Sequence, residues 1–85
     1  MPPIVVYTKS TCPYCDAAKD LLRRKGADFE EISVEGDRAG QAAMAAKAGG
    51  RSTVPQIFIG ATHVGGCDDL YGLEEAGRLD PLLAT

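Results

Sequence analysis

The sequence is short of cysteine, of basic residues and of long apolar runs. Its three cysteines are too few, and of the wrong parity, for a secreted disulfide scaffold. No apolar run approaches the ~20 residues that span a bilayer, and Met1, Pro2 and Pro3 do not resemble the start of a signal peptide. The 85 residues are enough for one domain and no more. We therefore expect residues 1–85 to form a single soluble domain in the cytoplasm.

Basic residues are outnumbered by acidic ones. Nine Lys and Arg residues stand against twelve Asp and Glu residues, which gives a net charge of −3. A protein that binds nucleic acid nonspecifically should carry a dominant basic patch. The nearest approach to one is Arg23-Arg24-Lys25, which we interpret as a solvated helix end favoured by the helix dipole. The sequence therefore indicates no nucleic-acid partner and no membrane partner.

Hydrophobic periodicity and turn residues predict seven elements in the order β-α-β-α-β-β-α. They are strand 4–8, helix 13–25, strand 29–34, helix 38–48, a turn that enters a strand over 54–59, strand 62–64 and a last helix that Asp68 or Asp69 caps, with Leu79, Leu82 and Leu83 closing the chain. A βαβ unit gives parallel strands with a right-handed crossover, and the later hairpin adds an antiparallel edge. The expected α/β fold is one mixed sheet of four strands with helices on both faces.

Two of the cysteines, Cys12 and Cys15, lie directly after the first strand and at the start of the first helix. Free backbone N–H groups and the helix dipole stabilise an anion there, so a thiolate at Cys12 is favoured. Lys9 adds a positive charge nearby. Cys15 lies one helical turn further on, where residues three apart bring their Cβ atoms to about 5–6 Å. This placement predicts a reversible dithiol pair.

The cysteines also bear on a metal site and on the state of Cys67. A zinc half-site would need two further ligands, and only Cys67 and His63 remain, separated by Gly65-Gly66. The sequence therefore predicts no metal site. Cys67 by itself is expected to be a buried or neutral thiol beside a helix start.

The sequence resembles the dithiol glutaredoxins along essentially its whole length, most closely the small bacterial class-3 members. The resemblance rests on Thr11-Cys12-Pro13-Tyr14-Cys15, on Thr53-Val54-Pro55, and on Gly65-Gly66-Cys67-Asp68-Asp69-Leu70. It implies the thioredoxin fold and a cis peptide bond between Val54 and Pro55, whose backbone groups would face Cys12. One departure is Ser52, which stands where many glutaredoxins carry Arg or Lys, with Arg51 one residue further back.

The resemblance also implies a glutathione site. Gly65-Gly66 would let backbone N–H groups at a helix start approach a carboxylate, and Asp68 or Asp69 would hold an ammonium group. The γ-glutamyl end of glutathione carries both groups. Lys9 and Tyr14 would face its glycyl carboxylate and peptide body. The implied binding residues are Lys9, Tyr14, Thr53, Val54, Pro55, Gly66, Cys67, Asp68 and Asp69.

The function that follows is glutathione-dependent reduction of protein disulfides and of protein–glutathione mixed disulfides. Cys12 would be the nucleophile and Cys15 the resolving thiol, in a monomer with glutathione as cosubstrate and no tightly bound cofactor. Two alternatives stay open. One is a carrier of a [2Fe–2S] cluster held by Cys12 and glutathione between two subunits, against which Pro13 and the second cysteine argue. The other is a redoxin that thioredoxin reductase, rather than glutathione, reduces.

Overall fold

The structure is a computed structural model that describes residues 1–84, and within them the chain forms four strands and four helices. These elements are β1 (Ile4–Thr8), α1 (Pro13–Arg24), β2 (Glu30–Ser33), α2 (Arg38–Lys47), β3 (Gln56–Ile59), β4 (Thr62–Gly65), α3 (Cys67–Glu75) and α4 (Leu79–Leu83). No helix within residues 1–84 is both long enough and apolar enough to cross a bilayer.

The four strands form one mixed sheet in the order β2-β1-β3-β4. β1 pairs in parallel with β2 and antiparallel with β3, and β3 forms an antiparallel hairpin with β4. The predicted mixed sheet and its hairpin edge are therefore confirmed. β1 is an inner strand of the sheet. The loop that follows it therefore lies between the ends of the neighbouring strands, and this loop carries Cys12.

Helices cover both faces of the sheet, as expected from the chain order. On one face α1, α3 and α4 pack over alternate residues of β1 and β3, in a core made of Ile4, Val6, Ala18, Leu21, Leu22, Ala27, Ile57, Ile59, Cys67, Leu70, Leu79 and Leu83. On the other face α2 covers a smaller cluster of Tyr7, Val34 and Met44. The fully buried Leu22 alone stabilises the fold by roughly 1.5–3 kcal/mol.

The limits of α1 follow from local chemistry. Pro13 occupies the first helical turn, where its missing N–H has no partner to lose. The helix ends at Arg24, with Lys25 as its C-cap and Gly26 in the left-handed conformation at φ +69°. The predicted helix is thus confirmed to within one residue at its C-terminus.

The basic cluster at the end of α1 differs from the prediction. Lys25 is not simply solvated, because its ammonium group lies 2.7 Å from Glu74 and 3.0 Å from Asp80. Arg23 lies over the ring of Phe29, with its guanidinium carbon 5.6 Å from the ring centroid. The cluster therefore ties α1 to the C-terminal helices. Sequence spacing did not reveal these partners because they lie up to 55 residues away along the chain.

Two details of the C-terminal region correct the predictions. The N-cap of α3 is Gly66, not Asp68 or Asp69, and the Asp69 carboxylate accepts a hydrogen bond from the Gly66 N–H at 2.9 Å. The leucines near the end of the chain form a separate helix, α4. It follows Gly77, whose left-handed conformation at φ +71° ends the preceding helical segment. The element order therefore gains one short helix beyond the seven predicted elements.

Candidate active site

Cys12 is the N-cap residue of α1 and is half-buried. Its sulfur accepts a hydrogen bond from the backbone N–H of Cys15 at 3.2 Å, which is one of the N–H groups that the first helical turn leaves without a partner. A thiolate at this position therefore receives both a directed N–H group and the positive end of the helix dipole. The residue before it, Thr11, has a φ of +53°, an uncommon conformation for a β-branched residue, and it turns the chain from β1 into α1.

Cys15 lies in a different environment from Cys12. Its side chain is 1% exposed, and burial raises the pKa of the Cys15 thiol to about 12. The hydrogen bond with Cys12 contributes to this rise in pKa, while a hydrogen bond with the Lys9 backbone and the charge of Lys19 oppose it. Cys15 is therefore a protonated thiol at neutral pH. Of the two cysteines, Cys12 is the more exposed.

Lys19 of α1 and Glu31 of β2 form an ion pair. The Lys19 ammonium lies 3.1 Å from Glu31, and the buried Thr8 hydroxyl donates to the same carboxylate at 2.8 Å. The Thr8 hydrogen bond and then that of Lys19 lower the pKa of Glu31. This network joins the end of β1 to α1 and β2.

An open cavity of about 160 Å³ adjoins the start of α1. It is lined by Tyr14, Arg51, Thr53, Val54, Pro55, Gly66, Cys67, Asp68 and Asp69. The fold thus brings together every residue of the predicted glutathione site except Lys9, which lies in the loop before Cys12. Tyr14 is 66% exposed at the rim, so its ring offers an accessible apolar face.

Arg51 lines the cavity but is not among the predicted glutathione-binding residues. Its guanidinium group lies 3.0 Å from the Asp69 carboxylate across the cavity wall. The Gly66 N–H and then Arg51 lower the pKa of Asp69. No local pattern predicts this pair, because the two residues are 18 positions apart and meet only when α3 packs beside the loop after α2.

The Arg51–Asp69 pair explains the glycine before Gly66. Gly65 has a φ of +113°, and a Cβ atom there would collide with the Asp69 carboxylate and the Arg51 guanidinium. Any other residue would therefore strain the backbone and displace the pair. Gly65 is required by this contact inside the protein, in addition to the approach of a ligand that the sequence suggested.

The loop before β3 forms the opposite wall of the cavity. The peptide bond between Val54 and Pro55 is cis, as the resemblance implied. Pro55 is buried, whereas Thr53 is exposed and Val54 half-buried. Thr53 accepts a hydrogen bond from the side chain of Gln56 at 3.3 Å, a contact that sequence analysis did not predict.

Cys67 lies at the first turn of α3 and is 8% exposed, so the prediction of a buried thiol is confirmed. Burial, and then the charges of Asp68 and Cys12, raise its pKa. All three cysteines are free thiols. Within residues 1–84, no three His, Cys, Asp or Glu side chains are grouped so that they could hold a metal ion.

Known sequences that are similar to this chain include glutaredoxins. The family model for glutaredoxin matches residues 4–64. The chain is 61% identical over 85 residues to a glutaredoxin of Pseudomonas aeruginosa, and the match covers 100% of both chains. It is 56% identical over 80 residues to glutaredoxin 3 of Escherichia coli strain K12, covering 94% of this chain and 95% of that protein.

Comparison with solved structures supports the fold. The crystal structure of a buckwheat glutaredoxin–glutathione complex superposes with a TM-score of 0.86 at 38% sequence identity, covering 98% of this chain and 77% of that one. The four-stranded mixed sheet with helices on both faces is therefore the thioredoxin fold that the resemblance implied.

Proposed function

The chain belongs to the glutaredoxin family of thiol-disulfide oxidoreductases, and from this premise we propose that residues 1–85 act as one monomeric domain that takes its electrons from glutathione. Its substrates are protein disulfides and protein–glutathione mixed disulfides. The observation that carries the proposal is the cavity at the start of α1, which is lined by the first turn of α3 and by the exposed carboxylate of Asp68. The similar buckwheat glutaredoxin, whose crystal structure is that of a complex with glutathione, supports the same ligand.

The proposed reaction with a mixed disulfide uses Cys12 alone. The Cys12 thiolate attacks the glutathione sulfur, forms a Cys12–glutathione disulfide and releases the substrate protein as a thiolate, which takes up a proton. A second glutathione, reacting as its thiolate, then attacks the glutathione sulfur of that disulfide. This step restores the Cys12 thiolate and releases oxidised glutathione, which joins the glutathione that arrived in the mixed disulfide to the second one. One free glutathione is therefore consumed for each mixed disulfide reduced.

A protein disulfide needs both cysteines. Cys12 first forms a mixed disulfide with one substrate sulfur, and the other substrate sulfur leaves as a thiol. Cys15 then loses its proton and attacks Cys12, which releases the reduced substrate and leaves a Cys12–Cys15 disulfide. Two glutathione molecules reduce that disulfide. Glutathione is a cosubstrate in both reactions, and the free thiols of this chain suit a reducing compartment such as the cytoplasm.

A coupled assay tests this function. Glutathione, glutathione reductase and NADPH are supplied with a small glutathione mixed disulfide, and NADPH consumption is followed with and without the protein. We expect a protein-dependent rate that saturates with the mixed disulfide. Consumption only when thioredoxin reductase replaces glutathione and its reductase would contradict the proposal, and a brown protein with the absorbance of an iron–sulfur cluster would favour the cluster carrier.

The two aspartates of the proposed glutathione site differ in the partners that they already have within the protein. The Asp69 carboxylate already accepts hydrogen bonds from the Gly66 N–H and from Arg51. Asp68 is exposed, lines the same cavity and has no hydrogen-bond or ion-pair partner within residues 1–84. We therefore assign the ammonium group of the γ-glutamyl end to Asp68.

Replacement of Asp68 with asparagine is expected to raise the KM for glutathione about fivefold and to leave kcat unchanged. An exposed charge pair contributes at most about 1 kcal/mol, and about 1.4 kcal/mol corresponds to a factor of ten. The measurement is the coupled assay at varied glutathione, with Asp69→Asn as the matched variant that should mainly lower stability. The rate with cysteinylglycine, which lacks the γ-glutamyl group, should not change in Asp68→Asn. An equal loss with both thiols would show that Asp68 makes no such contact.

A further inference from the structure

Gln56 is a polar side chain with no exposure to solvent. A buried amide is costly unless both its carbonyl and its NH₂ group are hydrogen-bonded. Gln56 satisfies this condition with two side chains from outside its own strand. Its Nε2 donates to the Thr53 hydroxyl oxygen at 3.3 Å, and its Oε1 lies 2.7 Å from Nε2 of His63. The amide therefore links β4 to the loop that forms one wall of the cavity.

The His63 end of this link is held in place by ring contacts. The imidazole stacks on Phe58, with ring centroids 4.9 Å apart and planes inclined by 28°. Phe58 in turn meets Tyr7 edge-on at 5.8 Å. Since Oε1 of Gln56 can only accept, Nε2 of His63 carries the hydrogen and donates it. The NH₂ group of Gln56 is directed towards Thr53, to whose hydroxyl oxygen it donates.

The Thr53 hydroxyl is the last group in this chain of hydrogen bonds. Its oxygen accepts from Gln56, so its own hydrogen is not used in that bond. Thr53 is exposed and lines the cavity beside the active-site helix. The hydroxyl hydrogen is therefore available to an acceptor in the cavity, and each bond in such a chain strengthens the next by polarisation.

We propose that His63 and Gln56 are positioning residues, which hold the Thr53 hydroxyl as a hydrogen-bond donor facing the cavity. The acceptor would be a carbonyl or carboxylate oxygen of glutathione, so this part of the inference rests on the proposed function. Neither His63 nor Gln56 lines the cavity. Their effect on the reaction passes through Thr53, and it should disappear when the Thr53 hydroxyl is removed.

A double-mutant cycle tests this dependence. His63→Phe keeps a ring that can stack on Phe58 but removes the donor nitrogen, and Thr53→Val removes the hydroxyl at nearly constant volume. We expect His63→Phe to raise the KM for glutathione about threefold, the order expected for loss of one hydrogen bond, with little change in kcat. In the Thr53→Val background, His63→Phe should have no further effect on KM. His63→Gln, which keeps an N–H donor, should recover part of the loss.

Thr62→Val is the matched control, since Thr62 is the exposed neighbour of His63 in β4 and has no side-chain partner within the described chain. It should leave KM at the wild-type value. The proposal is overturned if His63→Phe leaves KM unchanged, or if it raises KM by the same factor whether or not the Thr53 hydroxyl is present. The second result would mean that His63 acts independently of Thr53.

A second measurement does not depend on glutathione. Three-bond NMR couplings report the χ1 rotamer of Thr53 in the ligand-free protein, and we expect one rotamer in the wild type and averaged rotamers in His63→Phe and Gln56→Leu. A single unchanged rotamer in both variants would overturn the positioning role. If the wild type shows no glutathione-dependent activity, the proposed function fails, while the rotamer measurement still decides whether His63 and Gln56 position Thr53.

Discussion

Replacement of Cys12 with serine is expected to abolish reduction of both mixed disulfides and protein disulfides. The rate should fall by about 10³-fold or more, because removing an enzyme's nucleophile costs several orders of magnitude. The two other thiols cannot replace it. Burial raises the pKa of Cys15 and that of Cys67, so both remain protonated at neutral pH, and the thiolate is the form that attacks. The measurement is the coupled glutathione assay, together with turbidimetric reduction of a protein disulfide.

Serine is a suitable replacement because it preserves the local structure. Cys12 is the N-cap of α1, and serine is among the preferred N-cap residues, so its hydroxyl oxygen can accept the Cys15 N–H that the sulfur now accepts. The thermal midpoint should therefore stay close to that of the wild type, and the loss of activity can be assigned to chemistry. Substantial residual activity in a folded Cys12→Ser protein would assign the nucleophile to another residue.

Much of the fold could be predicted because its signals are local. The strand Ile4–Thr8 and the starts of α1 at Pro13 and of α2 at Arg38 each depend on neighbouring residues only. The two cysteines were located by the same logic, since a strand followed by a helix N-terminus is a short-range pattern. These predictions hold in the structure.

The features that could not be predicted depend on tertiary contacts. The Arg51–Asp69 pair and the hydrogen bonds from Gln56 join different elements, and hydrophobic periodicity carries no information about them. The cap of α3 was misassigned for a related reason. Asp69 does bind a backbone N–H at this helix start, but it does so from the third helical position, because Gly66 already occupies the N-cap. The sequence shows that an aspartate is available to cap the helix. The position from which it does so depends on where the helical backbone conformation begins.

The second large effect is expected on replacement of Cys15, which should lower the rate of one reaction and leave the rate of the other nearly unchanged. In Cys15→Ser, reduction of a protein disulfide should fall on the order of tenfold or more, because the mixed disulfide with the substrate loses its internal resolving thiol. Reduction of a glutathione mixed disulfide should stay within about twofold of the wild type, since the glutathione bound at Cys12 is removed by a second glutathione. Both rates are measured on the same preparation, so the ratio of the two is independent of the active fraction.

Cys15→Ala is the matched control for the hydroxyl that serine introduces into a buried site. Cys15 is 1% exposed, and an unpartnered hydroxyl there would cost stability, whereas alanine buries no polar group. Both variants lack the resolving thiol and should show the same separation of the two rates. If the two activities fall together in both variants, Cys15 supports the Cys12 site rather than resolving a substrate disulfide. If neither falls, glutathione resolves the protein mixed disulfide directly, and the dithiol step is not part of the reaction.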